Sequence, residues 1–132
     1  MNTPVNIICM KWGDKYDASY VNKLYNMVSR NLAREFRFIC LTDDNSGFLS
    51  SIESFDIPKL NLPEGIPERG WTKLVTFSKH ISDIKGQCLF LDLDVIIVNG
   101  IDELFDLPGD FFIIKDFNYL FSVFKCFLTF FR

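Results

Sequence analysis

Two aspartates, Asp92 and Asp94, follow the most apolar run in the sequence, residues 88–91. Side chains two apart in a strand point to the same face, so the two carboxylates would lie side by side. Like charges that close raise each other's pKa unless a cation lies between them. The spacing therefore predicts either a bound cation or an exposed acidic turn.

A divalent metal ion is the cation that such a pair suits. Both carboxylates can hold one ion, and their hard oxygen atoms favour Mg²⁺ or Mn²⁺. The ion could bridge to a diphosphate and neutralise the charge of a departing phosphate. We therefore expect Asp92 and Asp94 to form a metal site for a substrate that carries phosphate.

The elements that must position this pair alternate between strands and helices. Apolar and β-branched runs predict strands at 5–10, 36–44, 55–63, 88–91, 95–98 and 110–116. The third should lie at a sheet edge, because Pro58 cannot donate to a ladder, and the fourth at the centre. Apolar periodicity predicts helices at 18–32 and at 72–84, the second with Leu74 and Ile81 inward, and a helical turn at 101–105.

This order predicts an α/β fold, a three-layer α/β/α sandwich around a mainly parallel sheet. In open α/β sheets, ligands bind beyond the carboxyl ends of the strands. We therefore expect the acidic pair to share one crevice with the loop at 11–16 and with Asp43 and Asp44.

Composition narrows the class of protein. The chain has 132 residues and 48% hydrophobic residues, enough for one domain with a real core. Its net charge is −3 and no Lys/Arg cluster occurs, so nothing indicates nucleic-acid binding. The four cysteines form no C-x-x-C pattern and three lie in apolar runs, which favours buried thiols and a reduced cytoplasmic setting. The N-terminus shows no secretory signal.

The C-terminal apolar segment, 117–132, is too short to cross a bilayer. Its apolar part spans 15 residues and contains Lys125, whereas a spanning helix needs about 20 apolar residues. A core segment is the simplest interpretation. The alternatives are self-association and peripheral contact with a membrane surface, which would place the protein at the inner face of the membrane.

The block "FLDLDVIIVNGIDELFD", with "GWTKL" upstream, resembles the nucleotide-sugar-dependent glycosyltransferases of GT-A fold, particularly bacterial enzymes of lipopolysaccharide and capsule assembly. The resemblance implies a Rossmann-like sheet and metal-dependent transfer of a sugar from a nucleotide diphosphate-sugar, with UDP-sugar favoured, to a saccharide or lipid-linked acceptor. Residues 1–116 would correspond to the donor-binding half of such an enzyme, and 117–132 to a truncated continuation. Mn²⁺ or Mg²⁺ would be the cofactor.

The resemblance also implies roles for single residues. Asp94 would be the direct metal ligand, and Asp92 would touch the metal or the ribose. Tyr16 would stack on the base or flank it, Asp43 would accept a hydrogen bond from base or ribose, and Lys73 would approach the diphosphate or sugar. Arg69 is a weaker candidate for the last task. The implied donor-binding residues are Met10, Lys11, Trp12, Gly13, Tyr16, Asp43, Lys73 and Asp92.

Two other functions stay open. A non-catalytic remnant could bind the nucleotide-sugar without transferring it. A haloacid-dehalogenase-like phosphatase would use Asp92 as nucleophile and Asp94 as proton shuttle, although the residues that usually accompany this motif have no convincing match. Each of these residues could instead have a purely structural role. Asp43 and Asp44 suit an ordinary turn, and Lys73 could be a solvated charge on a helix surface. Tyr16 could pack on the sheet.

Overall fold

The structure, a computed structural model, describes residues 3–66, 71–78 and 81–112. Four strands form one parallel sheet in the order β3-β2-β1-β4. The strands are β1 (Val5–Lys11), β2 (Phe36–Thr42), β3 (Ile52–Phe55) and β4 (Cys88–Phe90). The helical elements are α1 (Ala18–Asn31) and two 3₁₀ helices, Trp71–Phe77 and Asp102–Asp106. The prediction of an α/β fold with a parallel sheet is confirmed.

Both faces of the sheet are covered, which explains why its central strands are apolar throughout. Along β1, Ile7 and Cys9 join the core cluster that contains the buried face of α1. Ile8 and Met10 belong to a second cluster, on the opposite face, together with Val75 of the first 3₁₀ helix. Alternate side chains of a strand thus enter different cores, as a buried parallel strand requires.

Helix α1 follows directly from its apolar spacing. Val21, Leu24 and Val28 recur at intervals of three and four residues and are fully buried. Asp17 caps the start, because its carboxylate accepts the backbone N–H of Ser19 at 2.9 Å. The helix predicted at 18–32 is therefore confirmed, with its end at Asn31.

The second half of the chain differs from prediction in several elements. The third strand lies at Ile52–Phe55 rather than 55–63, although it does occupy a sheet edge as predicted. The helix expected at 72–84 is a 3₁₀ helix that ends at Phe77, and Val75 rather than Leu74 is buried. Ile81 is buried as expected. In this structure β4 pairs only with β1 among the described strands, so the predicted central position is wrong for this part of the sheet.

Two further predicted strands are not formed where the structure can be compared. Residues 95–98 have no strand assignment, and Ile96 and Val98 are 77% and 82% exposed. Residues 110–112 are not a strand either, and 113–116 lie outside the described residues. The prediction for the segment 117–132 also falls outside them. Within the described ranges, no helix is both long and apolar enough to span a membrane.

The second 3₁₀ helix, which confirms the predicted helical turn, is fixed at the amino edge of the sheet. The carboxylate of Asp102 accepts the backbone N–H groups of Ala33 and Arg34 at 3.0 and 3.2 Å. The guanidinium of Arg34 also contacts both Asp102 and Asp106. These contacts hold the chain that follows Asp94 at the amino edge of the sheet. Asp92 lies at the opposite edge, where β4 ends.

Candidate functional site

The candidate site lies at the carboxyl edge of the sheet. Because β1 lies between β2 and β4 and all three run parallel, the segments that follow them begin side by side. Gly13, Asp43 and Asp92 each belong to one of these segments. The topology thus brings three of the predicted positions to one edge.

Asp92 and Lys73 form an ion pair at this edge. Lys73 belongs to the first 3₁₀ helix, and its Nζ lies 2.5 Å from Oδ1 of Asp92. The two side chains are only 21% and 9% exposed. The interpretation of Lys73 as a solvated surface charge is therefore wrong. Equally, Asp92 does not lie in an exposed acidic turn.

The surroundings of Asp92 act on its pKa in opposite directions. Burial raises the pKa of Asp92 and is the largest effect, while the hydrogen bond and positive charge of Lys73 lower it. The negative charge of Asp94 also raises the pKa of Asp92, as the smallest of these effects. Asp94 itself is exposed, in a turn that the Val95 N–H closes on the carbonyl oxygen of Asp92 at 3.3 Å. One member of the pair is buried and the other faces solvent.

The donor atoms suit a metal ion that is shared with a substrate. In the ranges that the structure describes, no three His, Cys, Asp or Glu side chains gather into a metal-binding group. A cage built by the protein alone is therefore not formed by these residues. Mg²⁺ is commonly held by one or two carboxylates, with waters and substrate phosphates completing its shell. Asp92 and Asp94 would supply the two carboxylates of that second arrangement, and their role as metal ligands stays a prediction.

A hydrogen bond ties the loop after β1 to the loop after β2. The backbone N–H of Gly13 donates to Oδ2 of Asp43 at 3.1 Å. Gly13 has a φ of +64°, the left-handed region that glycine adopts without strain. One oxygen of the Asp43 carboxylate is thus engaged in shaping the loop. Its predicted contact with a base or ribose stays a prediction.

The remaining residues predicted for the nucleoside lie in different environments. Met10 packs in the second core cluster, so its backbone alone could reach a ligand at the sheet edge. Lys11, the last residue of β1, is buried at 7% exposure. Trp12 is exposed. Tyr16 is partly buried and packs against the core cluster that contains α1. The centroid of its ring lies 4.7 Å from that of Tyr20, in an edge-on arrangement.

Asp44 stabilises the turn after β2. This is the structural interpretation that the sequence left open beside a ligand role. Its carboxylate accepts the hydroxyl and the backbone N–H of Ser46. These hydrogen bonds lower the pKa of Asp44, and the charge of Lys11 contributes in the same direction. Asp44 therefore closes the turn after β2.

A polar pocket of about 260 Å³ at the ends of β2 and β3 was not predicted as a unit. Its lining residues are Thr42, Asp43, Asp44, Asn45, Ser54, Phe55 and Asp56. A third strand at 55–63 would not place Ser54 and Asp56 in one pocket at the end of that strand. Only Ile52 is buried in this four-residue strand, so the sequence there lacks the apolar alternation that predicts a strand.

Arg69, the weaker candidate for the diphosphate, lies outside the described residues. Comparison of the chain with protein-family models, with curated proteins and with solved structures found no match. The resemblance to glycosyltransferases accordingly stays a prediction. The function is therefore inferred from the geometry of the carboxyl edge. Its central feature is the group formed by Lys73, Asp92 and Asp94.

Proposed function

We propose that this chain is the nucleotide-sugar-binding half of a metal-dependent glycosyltransferase, with the Rossmann-like sheet of the GT-A fold. The observation that carries the proposal is the largely buried contact between Lys73 and Asp92 at the carboxyl end of β4, with Asp94 two residues further along the chain. This group combines a cation with two carboxylates, as a metal–diphosphate site requires. It lies at the sheet edge where α/β proteins bind ligands.

Each member of the group has a role in this proposal. Asp94, which is exposed, would be the first carboxylate to meet an incoming Mn²⁺ or Mg²⁺, and Asp92 would complete the pair. The bound ion supplies positive charge to the leaving diphosphate. Lys73 adds a second cation on the side of the first 3₁₀ helix.

The loop after β1 would receive the nucleoside. Its Gly13 is held towards the loop after β2 by the hydrogen bond to Asp43, at the carboxyl edge of the sheet. Trp12 offers an exposed ring for a base. UDP-sugar is the favoured donor, and the acceptor would be a saccharide or a lipid-linked saccharide.

Calorimetry on the 132-residue chain tests the proposal. We expect UDP-sugar to bind with Mn²⁺ and much more weakly without it. Asp94→Asn should reduce Mn²⁺-dependent binding at least tenfold, whereas Glu103→Gln, an equivalent change in the second 3₁₀ helix at the amino edge, should leave it unchanged. Equal binding by the wild type and Asp94→Asn would refute the site.

Product analysis separates the possible outcomes of that binding. Transfer of the sugar to an acceptor would establish the enzyme. Metal-dependent binding without transfer or hydrolysis would identify a nucleotide-sugar-binding remnant. Hydrolysis of a phosphate monoester that is lost in Asp92→Asn would instead indicate a phosphatase with Asp92 as nucleophile.

A further inference from the structure

We infer that Lys73 is a resident cation that competes with the metal ion for Asp92 and is transferred to the diphosphate when metal and donor bind together. The inference rests on the proposed function and adds a coupling between its two ligands. It starts from the contact itself, because the ammonium of Lys73 occupies Oδ1 of Asp92 at 2.5 Å. That oxygen is one of the two through which Asp92 could hold a metal ion.

Burial explains why Asp92 must have a cation partner. Its side chain is 9% exposed, and a carboxylate removed from water is costly unless a positive charge compensates it. Lys73 provides that charge. A divalent ion on the same carboxylate would stand within a few ångströms of the ammonium and would repel it strongly. Metal and lysine would therefore compete for Asp92.

The position of Lys73 allows its head to move while its backbone stays fixed. The hydroxyl of Thr76 donates to the carbonyl oxygen of Lys73 at 2.8 Å, within the first 3₁₀ helix. The charge, by contrast, is carried on a flexible four-carbon stem. A diphosphate bound to the metal would offer phosphate oxygens as the new partner for the ammonium.

This exchange makes the two ligands cooperative. Metal alone must displace Lys73 and leave its ammonium without an anionic partner, so its affinity is low. A diphosphate accepts the displaced ammonium and thereby raises the affinity for metal. By thermodynamic linkage, metal raises the affinity for diphosphate by the same factor.

Electron paramagnetic resonance of Mn²⁺ tests the exchange without any measurement of activity. Titrations would use the full 132-residue chain, with and without UDP. We expect Lys73→Gln to bind Mn²⁺ alone at least tenfold more tightly than the wild type. The additional Mn²⁺ affinity gained from UDP should fall at least tenfold in the same variant. Lys59→Gln, which removes an exposed lysine, should behave as the wild type.

A second variant gives the opposite shift and keeps a positive charge beside Asp92. Lys73→Arg should bind Mn²⁺ alone more weakly than the wild type, because a guanidinium holds a carboxylate through two parallel hydrogen bonds. Unchanged or weaker Mn²⁺ binding by folded Lys73→Gln would overturn the exchange while leaving the metal site standing. Absence of Mn²⁺ binding in the wild type and both variants, with UDP present, would overturn the proposed function as well.

Discussion

The contact between Lys73 and Asp92 should contribute little to the free energy of unfolding. Replacing only one of the two residues should nevertheless lower that free energy substantially. Two unit charges 2.5 Å apart attract by about 7 kcal/mol at an effective dielectric constant of about 20. Removing each ion from water costs several kcal/mol, so the two effects nearly cancel. We therefore expect the double variant Lys73→Met/Asp92→Leu to unfold within about 1 kcal/mol of the wild type.

The single variants should differ from the double variant and from each other. Lys73→Met leaves a buried carboxylate without its cation and should cost about 3 to 5 kcal/mol. Asp92→Leu should cost less, because Lys73 is more exposed than Asp92 and can turn its ammonium towards water. Urea unfolding at neutral pH measures all four proteins, with m-values as the check on comparable denatured states. A double variant destabilised by the sum of the two single changes would refute this reasoning.

Three further changes have distinct expected results. Gly13→Ala should cost about 1 to 2 kcal/mol through its positive φ alone, because a Cβ there meets no atom within 4 Å, and Gly13→Asn should cost less; equal urea midpoints for Gly13→Ala and the wild type would contradict this. Leu24→Ala should lower the free energy of unfolding by about 2 to 5 kcal/mol, since Leu24 is fully buried between α1 and the sheet, and a loss below 1 kcal/mol would argue against that packing. The pKa of Asp92 is raised in the folded protein, so the folded state binds the proton of this carboxyl more tightly than the unfolded state. The resulting gain in the free energy of unfolding is complete below the unfolded pKa of about 3.9 and is lost as pH rises through the folded pKa. The wild type should consequently lose stability relative to Asp92→Asn as pH rises from about 4, and a pH-independent difference in urea unfolding would contradict the shift.

The first half of the fold could be predicted from the sequence because its signals are local. In β1 and α1 the apolar spacing matches one period over a whole element, and Asp17 supplies a cap. The run at 55–63 predicts the third strand, whereas the structure places only Phe55 of that segment in the ladder. In the first 3₁₀ helix, the tighter turn changes which side chains face the sheet, so that Val75 replaces Leu74 in the core.

The candidate site shows a similar division. The position of Asp92 and Asp94 after a buried strand was visible in the sequence, and the structure places them at the carboxyl end of β4. The contact of Asp92 with Lys73 was not visible, because it joins residues 19 apart through the packing of the first 3₁₀ helix. The bond from Gly13 to Asp43 likewise depends on strand order, which no local pattern specifies.

The location of the metal ion is the central claim, and paramagnetic broadening of backbone amide signals by Mn²⁺ tests it most directly. With UDP present, substoichiometric Mn²⁺ should broaden the signals of residues 91–95 and of Gly13, at the carboxyl edge of the sheet. The signals of Ala33 and Arg34, at the amino edge, should stay sharp. Broadening that favours the amino edge, or that spares residues 91–95, would contradict the account.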